Sequence, residues 1–478
     1  MRIKIKNNKF NNYNMNNKEK YGEVITPLEI IDEIYENIKP YIMEKMLEKK
    51  KSKKLKILDI GTGDGKFIKK FIEKFPEISE ESIFYGIDLN PYYETIFNDN
   101  LSTAKIKNAK IKNAKINNMK IQYVNGDFLE ENVLTDNVYD LIIGNPPFNN
   151  NGLIKVPCNK KIEKKKEGNT VWSKIIKKAI NLLDNDGFIT MITPCIWLKP
   201  DKSKTYDILV KENDLLLIKS YESYESHKIF RYNAQTPINY FLSYKNKGHD
   251  RSMNVKKLNI LTNKSINKST NKNYNFELKL DNPIPTHNID EVKKSQTIMK
   301  ENGIGDLSRL ILKSNPINEE RYETNEMPDE NRIYKNIKTC MIDRKDKNTQ
   351  IIYNYTNKPC PYYGEKKIYC AHKRLPIFLK DIEEKMGISR RDTYLITESR
   401  LIEEYPEIIN KNNVEKYLNV LYEYLNHEET KKLIQCTKYR MNYLEKYAYS
   451  YVPNIVDYVI KNKYENEEYD KIISFMFN

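Results

Sequence analysis

No two cysteines in this 478-residue sequence are spaced Cys-X-X-Cys. The six lie at positions 158, 195, 340, 360, 370 and 436, and Cys360, Cys370 and His372 come nearest to a cluster. That group has neither zinc-like spacing nor a second ligand pair, so a structural zinc site is not expected. Reduced, structural cysteines in a cytosolic setting are the better reading. No apolar run approaches the length of a membrane span, and the first twenty residues are polar and Asn-rich rather than signal-like. Glycine and alanine are scarce, while Lys, Asn, Ile and Tyr are abundant. The formal net charge is +15, which favours a polyanionic partner. AT-rich codons produce the same bias unaided, so the charge alone does not decide.

Hydrophobic residues make up 39% of the chain, enough for a core, and the length allows two or three domains. Residues 1–18 read as a disordered polar arm. From Lys54 to about Tyr244, β-rich runs alternate with helical segments. The runs are Lys56–Ile60, Phe84–Leu89, Ile121–Val124, Tyr139–Ile143, Gly187–Thr193, Leu215–Ser220 and Ile238–Tyr244. Lys66–Phe75 and Trp172–Leu183 place their apolar residues on one helical face. This alternation predicts an α/β fold, a doubly wound Rossmann-like sheet spanning residues 19–245. The pentapeptide repeat at 104–118 reads as a surface insertion, and the polar tract 262–275 as part of a linker over 246–275. Residues 276–478 are expected to form a separate α+β domain, with long helices over Leu401–Glu429 and Thr430–Tyr447.

Four motifs carry chemistry. Asp59-Ile60-Gly61-Thr62-Gly63-Asp64-Gly65 lies between a strand and a helix, where glycines let backbone approach a ligand. Asp59 can hold a ligand ammonium; an ordinary tight turn is the alternative. Asp88 ends the next strand, placed to accept from two ribose hydroxyls, or else to cap the following turn. Asp127 and Phe128 can hydrogen-bond and stack a planar base; a Gly-Asp turn beside a core Phe explains them equally. The sharpest motif is Tyr139–Phe148, a buried strand ending in Asn145-Pro146-Pro147-Phe148. Two prolines stiffen this turn and remove donors. The Asn145 side-chain oxygen and the Pro146 carbonyl remain as acceptors for an amino group, and Phe148 offers a flat face to a base.

The order and content of these motifs resemble the N6-adenine-specific DNA methyltransferases of the class I fold. Two further segments add to the resemblance. Gly22–Ile31, containing Thr26 and Pro27, is similar to the family's N-terminal motif, which contacts the methionine end of the cofactor. Ile229-Phe230-Arg231-Tyr232 is similar to the motif whose aromatic stacks on the far face of a flipped base, which implies that role for Phe230. The motif order is the gamma arrangement, with a target-recognition domain last. The resemblance covers residues 20–244 well and 276–478 loosely, through Tyr369–Arg374 and Thr437–Lys446. It implies S-adenosylmethionine as cofactor and Thr26, Pro27, Asp59, Gly61, Gly63, Gly65, Asp88, Asp127 and Phe128 as its site. Asn145, Pro146, Pro147 and Phe148 become the catalytic turn.

A duplex substrate requires base flipping and a basic cleft. Lys155, Lys160, Lys161, Lys164, Lys165 and Lys166 follow the catalytic turn and could contact DNA; a solvated loop is the bland explanation. The partners expected are DNA and a separate restriction endonuclease, with a monomer acting in the cytoplasm, or in a nucleus or viral factory if the chain is viral. Three other readings share the catalytic turn: an RNA amino-group methyltransferase, a protein-glutamine methyltransferase and a catalytically dead DNA-binding protein. About 200 extra C-terminal residues argue against the glutamine enzyme. Pro328-Asp329 and Glu365-Lys366-Lys367 imitate a nuclease motif but sit on no convincing strand.

Overall fold

Parallel strands need crossover connections, usually helical, and much of the first unit is built this way. The computed structural model describes residues 24–102, 119–134, 138–149, 169–230, 236–246, 248, 254–265, 268–313, 334–341, 349–356, 394–408, 411–439, 446–464 and 468–477. The expected arm at 1–18 and insertion at 104–118 lie outside them. A helix α1 (Leu28–Lys50) precedes β1 (Lys56–Ile60). Then follow α2 (Lys66–Lys74), α3 (Pro76–Ser79), β2 (Ile83–Asp88), α4 (Tyr93–Asn100), β3 (Lys120–Asn125), β4 (Tyr139–Gly144), α5 (Trp172–Leu182) and β5 (Leu183–Pro194). After β5 come β6 (Asp214–Tyr221), α6 (Ser223–Ile229) and β7 (Ile238–Tyr244). The sheet order is β3-β2-β1-β4-β5-β7-β6, with β7 antiparallel to both neighbours. Strand order reverses between β1 and β4, which opens a crevice at their carboxyl ends.

The polar tract expected to be a linker is instead a hairpin. β8 (Val255–Ser265) joins β6 in parallel, and β9 (Lys268–Lys279) pairs antiparallel beyond it. Leu258, Ile260, Phe276 and Leu278 are buried at every second position, and this periodicity outweighs the Asn/Lys composition between them. The nine-stranded sheet thus extends to the end of the first compact unit, at Asp281.

The second unit is Asn282–Asn478. It contains α7 (Ile289–Asn302) and an antiparallel sheet ordered β10 (Leu312–Lys313), β13 (Tyr394–Thr397), β11 (Tyr334–Met341), β12 (Thr349–Thr356). The helices α8 (Glu398–Glu404), α9 (Lys411–Asn426), α10 (Glu428–Gln435), α11 (Ile455–Asn462) and α12 (Tyr469–Phe477) follow. The two long helices expected here are broken. Pro406 starts a single 3-10 turn, and His427 caps α10 by accepting from the Glu429 amide at 3.4 Å. Proline lacks the donor a continuing helix needs. Tyr439, expected in a recognition segment, is buried with its hydroxyl donating to the Ile284 carbonyl.

Helix α1 covers one face of the first sheet. Ile30, Ile31, Ile34, Tyr35, Ile38, Ile42 and Met46 form its buried stripe at helical spacing. The Tyr35 ring meets Phe67, Phe71 and Phe75 edge-on, and its hydroxyl donates to the Phe67 carbonyl at 2.8 Å. A polar contact fixes the same helix. One Glu33 oxygen accepts from Lys219 at 2.6 Å, Tyr221 at 2.6 Å and Tyr240 at 3.0 Å. Burial raises the pKa of both tyrosines, which keeps them donors. Phe71 is fully buried between Phe75, stacked at 4.5 Å, and Phe84. Phe71→Ala should therefore lower unfolding free energy by about 3–5 kcal/mol in urea denaturation. A loss under about 1 kcal/mol would show that this cluster does not hold α1 and α2 to the sheet.

Candidate active site

The crevice is made by two turns, one after β1 and one after β4. These strands pair in parallel with Ile60 opposite Gly144, so both turns leave the sheet side by side. The first turn closes on β2: the Gly61 and Thr62 amides donate to the Ile87 carbonyl at 2.9 and 3.1 Å. Gly61, at φ +70°, is where side chains are disfavoured and where space is lacking. A Cβ there would lie 3.3 Å from the Asn145 carbonyl oxygen. Gly144 is tighter: a Cβ would lie 2.3 Å from the Ile60 carbonyl oxygen. The glycine turn and the Asn-Pro-Pro turn therefore touch backbone to backbone. Gly144 had no role assigned from the sequence, although a glycine ending an otherwise apolar strand is the kind of signal that marks close approach.

Asp59 is wholly buried beneath this contact. Thr62 Oγ1 donates to its Oδ2 at 2.7 Å, a partner the sequence reading missed. Asp59 Oδ1 is buried without a hydrogen-bond partner among the described residues. Burial pushes its carboxyl up to about 8; the Thr62 hydrogen bond opposes this, and Asp88 and Asp64 add to it. Asp88 is more open. Its Oδ2 accepts from the Gly63 amide at 2.9 Å and its Oδ1 from the Asn90 amide at 2.9 Å. Burial raises its pKa, while those two amides pull it back. Gly65 starts α2. Asp127 caps its own turn by accepting from the Leu129 amide at 2.9 Å. Phe128 is 5% exposed, with the Lys178 ammonium 5.0 Å from its ring centre. Its ring is core-packed rather than presented.

The Asn-Pro-Pro-Phe turn is held from α1's side. Asn145 Nδ2 donates to the Val24 carbonyl at 3.3 Å and to Thr26 Oγ1 at 3.0 Å. A peptide carbonyl can only accept, so the NH2 group must face Val24. Both amide hydrogens are thereby used, and only the Asn145 oxygen remains for a ligand. Pro146 is buried, Pro147 and Phe148 are half-buried, and Pro27 is the residue before α1. Phe230 is 3% exposed within the main apolar cluster, so its ring is not presented to a base; it packs the core. The six lysines from Lys155 to Lys166 lie outside the described residues, as do Cys360, Cys370, His372 and both halves of the nuclease-like motif. Among the described residues no group of His, Cys, Asp and Glu could hold a metal, and no helix is long and apolar enough to cross a membrane.

The glycine turn and the Asn-Pro-Pro-Phe turn thus meet where strand order reverses in a doubly wound α/β sheet. Residues 82–230 match the family described as Eco57I restriction-modification methylase. That stretch carries Asp88, Asp127, the Asn-Pro-Pro-Phe turn and Phe230. No curated protein matches the chain. Among solved structures, the type IIG restriction endonuclease BpuSI is 12% identical, over 97% of this chain and 62% of its own, with a TM-score of 0.40. A Listeria monocytogenes protein described as a class I S-adenosylmethionine-dependent methyltransferase is 15% identical, over 49% and 65%, at 0.33. A Vibrio vulnificus protein described as a type I restriction enzyme modification subunit is 15% identical, over 60% and 56%, at 0.35. The chain spans less than two thirds of each of these proteins.

The raised Asp59 carboxyl gives a pH dependence. Unfolded, it ionises near its ordinary value of 3.8; folded, it holds its proton to about 8. Its contribution to stability is therefore fully present below the lower value and is lost as pH rises toward the upper one. The urea midpoint should fall with pH across that window, and Asp59→Asn should flatten the fall. Parallel slopes for the two proteins would show that Asp59 is not the titrating group.

Proposed function

We propose that this protein transfers a methyl group from S-adenosylmethionine to the N6 amino group of adenine in DNA, at a specific sequence, with the base flipped out of the duplex. The observation that carries the reading is the polarity of Asn145. With both its hydrogens spent on Val24 and Thr26, it offers a ligand only an acceptor. Together with the Pro146 carbonyl, that oxygen suits an amino group with two N–H donors and repels a ring carbonyl. Such contacts orient the nitrogen lone pair toward its electrophile. The nitrogen attacks first and sheds its proton afterwards, so the chain needs no general base.

The residues present fit the cofactor. Asp59 Oδ1 is an orphaned buried acceptor, and an ammonium beside it would favour its ionised form. Each Asp88 oxygen has accepted one amide and keeps a lone pair for a ribose hydroxyl. Pro27, the backbone of Thr26, Gly61, Gly63 and Gly65, and Asp127 complete the proposed pocket; the Thr26 hydroxyl is taken by Asn145 and the buried Phe128 is assigned to packing. When bound, S-adenosylmethionine supplies an electrophilic methyl group. Phe148 is the proposed stacking face for the base, and the buried Phe230 is assigned to packing. The net charge of +15 supports DNA as partner. We assign target recognition to the unit after residue 281, with a monomer as the acting form and a separate restriction endonuclease as partner.

The test offers labelled S-adenosylmethionine with unmethylated DNA, RNA and a protein extract in parallel. N6-methyladenine in DNA is expected. Label found only in RNA or protein would overturn the substrate. Asn145→Ala should cut transfer by roughly a hundredfold or more while retaining cofactor affinity, as loss of an oriented acceptor in the transition state would. Full activity of that variant would refute the mechanism. Asp88→Ala should weaken cofactor binding, and unaltered affinity would remove its ribose role.

A further inference from the structure

The segment before α1 makes its observed side-chain contact with Asn145. Thr26 is 7% exposed, and its Oγ1 takes one of the two Asn145 amide hydrogens at 3.0 Å. The Val24 carbonyl takes the other at 3.3 Å. A carboxamide has nearly the same shape after a half-turn that exchanges its oxygen and NH2. The chemistry it presents is inverted by that turn: a donor would face the target amino group, hydrogen against hydrogen. The shape of the site cannot prevent this; its hydrogen bonds can. The Val24 carbonyl accepts only, so it rejects the turned amide outright. The Thr26 hydroxyl, on a residue only 7% exposed, accepts the second hydrogen, which would otherwise lose its protein acceptor.

We propose that Thr26 is a positioning residue for methyl transfer, whose hydroxyl holds the Asn145 amide so that its oxygen alone meets the target amino group. This rests on the reading of Asn145 as the acceptor for that amine. The position of Thr26 is itself set firmly. Pro27 leads into α1 in an extended conformation, and α1 is tied to β6 and β7 through Glu33, Lys219, Tyr221 and Tyr240. The Asn37 amide adds a further bond to the Tyr240 hydroxyl at 2.8 Å. The hydroxyl that steadies Asn145 is therefore carried two residues ahead of a helix locked to the sheet that carries Asn145.

The experiment compares Thr26→Val, Thr26→Ser and Asn145→Ala, reading kcat on DNA, cofactor Kd and melting temperature for each. Valine keeps the shape and removes the acceptor; serine keeps the acceptor. The expected result for Thr26→Val is a kcat lower by roughly tenfold, the scale of one unsatisfied buried donor, with cofactor Kd within about twofold of wild type. Thr26→Ser should recover most of the kcat. If Thr26→Val does not fold, Thr26→Cys serves, and its weaker acceptor predicts an intermediate kcat. A Thr26→Val protein with normal kcat and weakened cofactor binding would overturn the inference, because the hydroxyl would then serve the cofactor. Equal losses in the valine and serine variants would overturn it too, since packing would then be the cause. An active Asn145→Ala would remove the reading beneath it. An inactive Asn145→Ala beside a fully active Thr26→Val would remove this inference alone.

Discussion

Two backbone turns touching without a side chain between them govern the site. Parallel strands alone would bring the ends of β1 and β4 only to ordinary sheet spacing. They meet without side chains because Gly61, in the turn after β1, and Gly144, ending β4, place no Cβ in the gap, where 3.3 and 2.3 Å to the facing carbonyl oxygens would remain. The glycine turn, with Asp59 below and Asp88 beside it, is thereby fixed against Asn145. On the proposed reading this is the distance that matters most, because methyl donor and acceptor must meet in line. A fold in which strand order reverses between β1 and β4 supplies the crevice; the glycines supply the closeness.

Helix α1 depends on that arrangement and then adds to it. Its stripe of Ile30, Ile31, Ile34, Ile38 and Ile42 would bury comparable area at more than one register on an apolar sheet. A single Glu33 oxygen bonded to Lys219, Tyr221 and Tyr240 would not tolerate a shift. Burying the Lys219 ammonium, at 1% side-chain exposure, costs desolvation that its ion pair offsets only with good geometry. The return is register rather than bulk stability. With α1 in one register, Thr26 and the Val24 carbonyl arrive at one place.

Much of the first unit could be read from residue order. The expected strands at Lys56–Ile60 and Ile238–Tyr244 have the observed bounds, and the others agree within a few residues. Alternation of branched apolar runs with amphipathic helices is a local property and is visible locally. The hairpin at 255–279 was hidden because composition is also local: Lys and Asn dominate its middle while Leu258, Ile260, Phe276 and Leu278 do the packing. At the site, backbone motifs were legible and partner choices were not. Asp59, Asp88 and Asn145 announced themselves by spacing. That Thr62 bonds Asp59, or that Thr26 bonds Asn145 from 119 positions away, follows from tertiary packing alone. Phe230 and Phe128 mark the same limit, because an aromatic in a motif looks alike whether its face is covered or free.

The polarity imposed on Asn145 also bears on selectivity. A pocket that only excludes by size separates substrates weakly, by roughly ten- to two-hundredfold per methylene. A pocket whose polar atoms are left unpaired by the wrong substrate separates them by roughly 10⁴-fold or more. Asn145 Oδ1 and the Pro146 carbonyl are both acceptors, so a base with a carbonyl at the reacting edge would strand both against its own oxygen. Amino-bearing bases would pair them. On the proposed reading the turn selects a class of nucleophile, and the choice of adenine within that class must come from groups around the ring rather than from the turn itself.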